Sequence, residues 1–150
     1  MKKLLIAFVL LLGIAGTTSA QEGLVNIKSS HTVLVTANRF EGALKEKGII
    51  VFSRIDHAAG AQQIGKELKP TLLLIFGNPA MGTPMIQRSR TAGIDLPLKA
   101  LIWEDRTGQV WLTYNSPDYI AQRHGLIEMN NLVQKMGQVL SNFSAAATLP

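Results

Sequence analysis

The sequence contains no cysteine in its 150 residues. A chain without thiols cannot use a cysteine nucleophile, a thiolate zinc site or an iron–sulfur cluster. Disulfide bonds are excluded for the same reason. Packing alone must therefore hold the fold, and any catalysis must use other side chains.

A second absence concerns nucleic acids. The formal net charge is +5, but the basic residues are scattered and form no stripe interleaved with aromatic residues. Such a stripe is the usual footprint of a nucleic-acid-binding protein. We therefore predict no nucleic-acid partner.

The N-terminal apolar run, Leu4 to Ile14, is shorter than the roughly 20 residues that a membrane-spanning helix needs. Lys2 and Lys3 precede the run, and small residues up to Ala20 follow it. This order is typical of a bacterial secretory signal peptide. The sequence thus predicts a signal peptide over 1–20, cleaved near Ala20. It also predicts a periplasmic or secreted product with no stable membrane span, and a single domain over 21–150.

Hydrophobic periodicity and capping residues predict five strands, two long helices and short helical inserts. The strands are expected over 24–28, 49–56, 71–76, 98–104 and 109–115, and the long helices over 33–47 and 126–143. Ser29 and Ser30 are the expected caps of the first helix. Ser116-Pro117 should open a short helix before the last one. Residues 105–108 are expected to form a hairpin turn, across which Trp103 and Trp111 pair.

Finer expectations follow from the same patterns. Strict alternation along the second strand should place Val51 and Arg54 on opposite faces. The strand 71–76 is apolar on both faces, which is typical of a central strand covered on both sides. Gly42 inside the first helix indicates close packing against the sheet, and residues 145–150 are expected to fray. The order β-α-β-β-β-β-α predicts an α+β sandwich, with a mostly antiparallel sheet and helices packed on one face.

The stretch IFGNPAMGT carries two glycines spaced as in a phosphate-binding loop. A nucleotide P-loop needs a lysine after the second glycine, where this chain has Thr83 and Pro84, so nucleotide hydrolysis is disfavoured. Thr83 is a good N-cap and Pro84 a good first residue. A short helix is therefore expected over 85–91, and its start can bind an anion. The alternative is a strand-to-helix turn in which the glycines only set the backbone shape.

Two neighbouring polar pairs are candidates for acid–base chemistry. Asp56-His57 ends the second strand, and its simpler interpretation is an ion pair and loop cap. Arg123-His124 ends a helix, where cations suit the C-terminal dipole. Both pairs therefore have a structural interpretation beside the functional one.

No complete catalytic or metal-binding motif is present. The pattern G-x-S-x-G does not occur, and the 3 histidines have no metal-ligand spacing. Haem held by a histidine together with Met81 or with another histidine stays open, although the attachment motif C-x-x-C-H is absent. The sequence requires no cofactor and leaves the identity of any cofactor unknown.

Four segments together resemble one known family. They read RIDHAAGA, LLLIFGNPAMGTPMIQ, GIDLPLKALIWED and VWLTYNSPDYIAQRHGL, and in this order they are similar to domain of unknown function family 302. The resemblance spans Val25 to Leu140. It implies a compact α+β domain, similar to the β-α-β4-α arrangement of TATA-binding-protein-like folds, and a homodimer. It implies no activity, and DNA binding does not follow from likeness of fold.

Positions in this chain that match the family's recurrent polar residues are Asp56, His57, Asn78, Gly82, Thr83, Asp95, Glu104, Asp105, Tyr114, Asn115, Arg123 and His124. The leading hypothesis is an exported domain that binds or senses a small anionic ligand. Arginines and a helix start would contact the anion. The residues expected around one concave region at the strand ends are Arg54, Asp56, His57, Asn78, Thr83, Tyr114, Arg123 and His124.

Two alternatives stay open. One is a small hydrolase or isomerase with His57 or His124 as its base, which requires a histidine within hydrogen-bond reach of a nucleophile or substrate. The other is a periplasmic protein-interaction dimer, which a large apolar patch on the sheet would favour. Because no catalytic signature is complete, binding is preferred to catalysis.

Overall fold

The computed structural model describes residues 22–150. The predicted signal peptide over 1–20 lies outside these residues. The strands are β1 (Leu24–Ser29), β2 (Ile50–Asp56), β3 (Thr71–Gly77), β4 (Leu98–Glu104) and β5 (Val110–Asn115). The α-helices are α1 (Val33–Glu46), α2 (His57–Gln63), α3 (Pro79–Arg88), α4 (Pro117–Arg123) and α5 (Asn130–Thr148). Two 3₁₀ helices, Arg90–Ile94 and Ile127–Met129, follow α3 and α4.

The described strands form one antiparallel sheet in the order β1-β5-β4-β3-β2. The predicted α+β architecture, with the order β-α-β-β-β-β-α and an antiparallel sheet, is confirmed. The hairpin between β4 and β5 is confirmed as well. Gly108 has a φ of 90°, and Trp103 lies opposite Trp111. This hairpin forms the middle of the sheet.

The long helices α1 and α5 pack against each other and cover one face of the sheet. Phe40 of α1 is fully buried between them and β3. Its ring meets Phe76 of β3 edge-on with centroids 5.3 Å apart, and Phe143 of α5 at 6.4 Å. Edge-to-face aromatic pairs of this kind add roughly 0.5–1.5 kcal/mol to the burial of the rings. These aromatic contacts join both helices to the sheet in the main hydrophobic cluster.

A second hydrophobic cluster packs between α3, α4 and the first half of α5. Helix α5 belongs to both clusters, because Val133 and Met136 pack in the second one while Leu140 and Phe143 pack in the main one. The predicted last helix, 126–143, is confirmed in part, because α5 begins at Asn130 and Ile127–Met129 form a separate 3₁₀ helix. The other members of the second cluster are Met85, Ala92, Leu96, Ile120, Ala121 and Leu126.

Helix α1 has a different cap from the predicted one. The helix starts at Val33 as predicted, but β1 runs through Ser29 and the N-cap is Thr32. The Thr32 hydroxyl accepts a hydrogen bond from Val35 N at 3.3 Å. The predicted C-terminal stop is confirmed, since α1 ends at Glu46 and Gly48 has a φ of 67°.

The expected alternation along β2 is wrong. Its register against β3 shifts between Val51 and Ser53. A bulge inserts one residue, so every side chain after it changes face. Val51 and Arg54 therefore lie on the same side, and Arg54 reaches Asn38 Oδ1 at 2.8 Å and Glu41 Oε2 at 3.3 Å on α1.

The expectation that β3 is covered on both faces is also wrong. Leu72, Leu74 and Phe76 are buried beneath the helices, whereas Leu73 and Ile75 are only partly buried on the opposite face. The long helices both lie on one side, so neither of them covers this second face. We call its apolar side chains the open sheet face: Leu73, Ile75, Leu101, Trp103 and Trp111.

Two further expectations are wrong. A Cβ added at Gly42 would meet nothing within 4 Å, so this glycine is not a site of close packing. The C-terminal residues do not fray, because α5 continues to Thr148, and Ala147 and Thr148 are buried. Ser30 N also donates to Thr148 O at 2.9 Å, which fastens the end of α5 to the loop after β1.

Candidate functional site

A cavity of about 250 Å³ lies where the two hydrophobic clusters meet, and we call it the seam cavity. Phe76 and Phe143 of the main cluster line one side, and Leu96 and Met136 of the second cluster line the other. Every residue from Gly77 to Thr83 except Ala80 also lines it. The glycine loop singled out in the sequence is therefore a wall of this cavity.

The loop does start a helix, but not at the predicted residue. Helix α3 begins at Pro79, and Asn78 is its N-cap, with Oδ1 accepting from Ala80 N at 2.9 Å. Thr83, the predicted cap, lies inside this helix together with Pro84. Asn78 directly follows β3 and still has extended backbone angles, which suits an N-cap, and Pro79 suits the first helical position.

The first turn of α3 leaves no amide N–H for an anion. Pro79 has no N–H, and Ala80 N donates to the Asn78 side chain. Met81 N and Gly82 N both donate to Asn78 O, at 2.9 and 3.0 Å. Helix starts bind anions through unpaired N–H groups. The start of α3 therefore offers no free N–H group for the predicted anionic ligand.

Space does not require either glycine of the loop. A Cβ added at Gly77 would lie 3.4 Å from Pro97 Cβ and 3.6 Å from Phe52 Cε2. Both are ordinary van der Waals distances, so a side chain would fit there against two walls of the cavity. A Cβ at Gly82 would meet only Leu96 Cδ1, at 3.9 Å, so Gly82 is not required by space.

The lining of the seam cavity is almost entirely apolar. Within residues 22–150, its polar side chains are those of Asn78 and Thr83, and it carries no charged side chain. An ion in such a place would lose its hydration without gaining a partner. Phe52, which is 51% exposed, lies on the solvent side of the lining. The cavity is therefore suited to an apolar molecule that enters from the surface.

A polar cluster lies next to the seam cavity, on the segment that leads into β4. Asp95 Oδ2 is 2.6 Å from His124 Nε2, and Asp95 Oδ1 is 3.3 Å from Arg123 Nη1. The second ring nitrogen of His124, Nδ1, is 3.0 Å from Thr91 Oγ1. The side chain of His124 is 4% exposed, whereas Thr91 is an exposed residue. We call Thr91, Asp95, Arg123 and His124 the Asp95 cluster.

The hydrogen bonds of the Asp95 cluster select one tautomer of the neutral imidazole. An ionised carboxylate can only accept, so the ring proton lies on Nε2 and points to Asp95. Nδ1 then carries the lone pair, and the Thr91 hydroxyl donates to it. A carboxylate, an imidazole and a hydroxyl thus follow one another in the order found in hydrolytic triads. No three histidine or carboxylate side chains of the described chain converge as a metal site.

Residues 25–143 match the family described as domain of unknown function DUF302. The chain belongs to the DUF302 family. The resemblance seen in the sequence is confirmed, and the family description states no activity. A DUF302 protein from Bacillus stearothermophilus, described as an uncharacterized conserved protein, has a crystal structure that matches with a TM-score of 0.76. The match covers 85% of this chain and 99% of that chain at 16% identity, so it concerns the fold alone.

Longer proteins also contain a related sequence. Fluoride-specific ion channel FluC 1 of Brucella suis biovar 1 is 52% identical over 104 residues, which are 69% of this chain and 41% of the relative. Fluoride-specific ion channel FluC 2 of Brucella melitensis biotype 1 is equally similar over 38% of its length. The DUF302 chain thus spans about two fifths of these relatives. Within residues 22–150, no helix has the length and apolar character needed to cross a membrane.

The DUF302 fold does not gather all eight predicted site residues. Asp56 lies opposite Leu72 at the start of β3, whereas Asn78 follows the end of β3. Six residue steps, or about 20 Å, separate the two positions along the sheet. Asp56 caps α2 by accepting from Ala59 N at 3.0 Å, and His57 is exposed in the first turn. Arg54 is paired with α1, so these three residues lie apart from the other five.

The other five predicted residues lie at the opposite end of the sheet but in three separate environments. Asn78 and Thr83 line the seam cavity. Tyr114 is buried, burial raises the pKa of its hydroxyl, and it lines a depression of only about 10 Å³. Arg123 and His124 both contact Asp95. The structure therefore divides the expected pocket into an apolar cavity and a polar cluster.

Sequence reasoning missed residues in both places. Thr91 is 33 residues from His124 in the sequence, and no sequence motif links the two residues. Asp95 matches a recurrent position of the family and supplies a carboxylate, but no spacing in the sequence pairs it with His124. Met136 lies among the apolar residues of the predicted last helix. The sequence does not distinguish a residue in the hydrophobic core from one that lines a cavity. Val139, on the same helix, carried no signal that it lines a cavity.

Proposed function

We propose that this DUF302 domain binds a small apolar molecule in the seam cavity. The observation that carries the proposal is an open volume of about 250 Å³ with two polar side chains and no charge. A dry apolar cavity of roughly 150 Å³ is enough to bind benzene. Ligand pockets commonly measure about 300–1,000 Å³, so the ligand is expected to be small.

Two polar side chains give the ligand an orientation. Asn78 uses its Oδ1 as the cap of α3, so the Nδ2 amide is the group that can donate to a ligand. The Thr83 hydroxyl is exposed on the same wall. A molecule with an apolar body and one carbonyl or hydroxyl oxygen matches this arrangement.

This proposal keeps the ligand-binding function expected from the sequence but changes the class of ligand. The two arginines expected to hold an anion have carboxylate partners within the chain. Arg54 pairs with Glu41 at 3.3 Å, and Arg123 pairs with Asp95 at 3.3 Å. Neither arginine lines the seam cavity.

Calorimetric titration of one protein sample with two probes tests the ligand class. Naphthalene serves as the apolar probe, and inorganic phosphate serves as the anionic probe. We expect naphthalene to bind and phosphate not to bind. Phosphate binding without naphthalene binding, or no binding of either, would overturn the proposal. Native mass spectrometry of protein purified from its own cells would then identify the natural ligand by its extra mass.

A second candidate function comes from the relatives named as fluoride channels. A region 52% identical to this chain forms 38–41% of those proteins. We propose that the DUF302 region regulates fluoride conduction by such a channel. The test measures fluoride efflux from liposomes that hold the full-length Brucella suis relative. Efflux that is unaffected both by deletion of the matching region and by added DUF302 chain would refute this candidate.

Export stays a proposal that rests on the N-terminal sequence pattern. Cleavage near Ala20 would make Gln21 the first residue of the mature protein. Mass spectrometry of the N-terminal peptide from a periplasmic fraction measures this directly. An intact Met1 peptide in the cytoplasmic fraction alone would contradict it.

The predicted homodimer stays a proposal as well. The open sheet face supports it, because Leu73, Leu101 and Trp103 form an apolar band that the long helices leave uncovered. A charge placed there, as in Leu101→Lys, should weaken a dimer formed through this face. Sedimentation velocity of both proteins is the measurement, and a monomeric wild-type protein would dismiss the proposal.

A further inference from the structure

The Asp95 cluster has a feature that a purely structural role would not require. His124 is almost fully buried, yet one of its ring nitrogens faces the hydroxyl of an exposed residue, Thr91, at 3.0 Å. The opposite nitrogen is held by Asp95 at 2.6 Å, which keeps the lone pair directed at Thr91. A hydroxyl that donates to a fixed imidazole lone pair is positioned to lose its proton as it attacks.

Neighbouring groups complete this arrangement. Arg123 contacts the other oxygen of Asp95 at 3.3 Å and so helps to hold the carboxyl group against His124. Ser89 Oγ lies 3.1 Å from Thr91 Oγ1. Because the Thr91 proton is directed at His124 Nδ1, the Ser89 hydroxyl is the donor in this contact. Thr91 belongs to the 3₁₀ helix Arg90–Ile94, so its backbone position is set by that turn.

We propose that Thr91 is a nucleophile for which His124 is the general base, and that this site transfers acyl groups from small esters to water. The role goes beyond ligand binding in the seam cavity and does not depend on it. Asp95 and Arg123 act as positioning residues, because they contact His124 or its partner rather than the ester.

The reaction has two balanced steps. In the first, Thr91 Oγ1 bonds to the ester carbonyl carbon, and its proton moves to His124 Nδ1. The bond from that carbon to the alcohol oxygen breaks, and the departing alkoxide takes the proton from His124. In the second step, water attacks the acyl-threonine, gives its proton through His124 to Thr91 Oγ1, and the carboxylic acid leaves.

The test uses the full chain and p-nitrophenyl acetate, an activated ester of a short acid. Release of p-nitrophenolate follows the reaction, and peptide mass mapping locates the acetyl group. A positioned base contributes roughly 10²- to 10⁴-fold in rate. We therefore expect Thr91 to be acetylated at least about 100-fold faster than Thr71, whose hydroxyl donates to the Lys69 carbonyl instead.

Matched variants separate catalysis from structure. Thr91→Ser should keep the acetylation, whereas Thr91→Val should abolish it while the protein stays folded, because Thr91 is exposed. His124→Gln should slow acetylation of Thr91 by about 100-fold, with folding checked by circular dichroism. Thr71→Val should leave the rate unchanged. Acetylation of Thr91 no faster than that of Thr71, or full activity in Thr91→Val, would overturn the proposal.

Discussion

Filling the seam cavity is the most direct test of how this domain works. Val139 of α5 lines the cavity and packs partly against the main cluster. Replacing it with phenylalanine adds about four carbon atoms, and each buried methylene contributes roughly 0.8 kcal/mol. The upper limit is thus about 3 kcal/mol of added stability. Imperfect fit of the new ring lowers the expected gain to about 1–2 kcal/mol.

Val139→Phe should therefore stabilise the protein and at the same time block the ligand. Chemical denaturation measures the first effect, and the thermal midpoint should rise by roughly 3–8 °C. Calorimetric titration with naphthalene measures the second, and we expect affinity to fall at least about tenfold. A gain in stability together with a loss of binding excludes unfolding as the cause of the loss.

The control is Gln138→Phe, which places the same aromatic ring on the exposed neighbouring position of α5. This variant should bind naphthalene as the unchanged protein does. The reasoning is refuted if Val139→Phe folds and binds naphthalene with undiminished affinity. A loss of about 1–3 kcal/mol in stability would equally refute it, because that is the effect of overpacking a filled core.

Other predictions concern the fold. Phe40→Ala removes the ring that joins both long helices to the sheet. Urea denaturation should show that the free energy of unfolding falls by about 3–5 kcal/mol. A fall below about 1 kcal/mol would contradict the described packing of Phe40. Gly42→Ala should raise the free energy of unfolding by about 1 kcal/mol, since a helix-interior methyl has open space there; a decrease would show an unseen contact. The Thr107 hydroxyl and the Trp111 indole hold the pKa of Asp105 well below its ordinary range. The stability that the ionised Asp105 carboxylate adds is complete above the carboxyl's pKa in the unfolded chain, about 3.9. It is lost as the pH falls towards the lower pKa of the folded protein. The stability difference between wild type and Asp105→Asn should therefore narrow below about pH 4, and a constant difference in acid would contradict this.

Local chemistry explains why parts of the fold could be predicted. The start of α4 needs only Ser116 and Pro117, and Ser116 Oγ does accept from Tyr119 N at 3.0 Å. The hairpin turn likewise depends on four consecutive residues that end in Gly108. Each signal acts between residues close in sequence, so no distant partner could change its outcome.

The start of α3 shows where local rules stop. Asn78-Pro79 and Thr83-Pro84 are both good cap–proline pairs, and capping preference alone does not choose between them. The point where β3 leaves the sheet decides, because Asn78 is the first residue beyond the strand. The β2 bulge is a similar case, since the register of β2 depends on its partner strand.

By itself, the sequence determined the order of helices and strands, the α+β class, the family, the end of α1 and the start of α4, because these depend on periodicity and on neighbours in the chain. Only the tertiary structure decided the features on which the proposed functions rest. The seam cavity exists because α5 contributes to two clusters whose surfaces do not fully meet around Val139. The Asp95 cluster exists because the end of α4 packs against the segment before β4, which brings His124 to Thr91. Both depend on contacts between residues far apart in the chain, and a single sequence carries no local signal for such contacts.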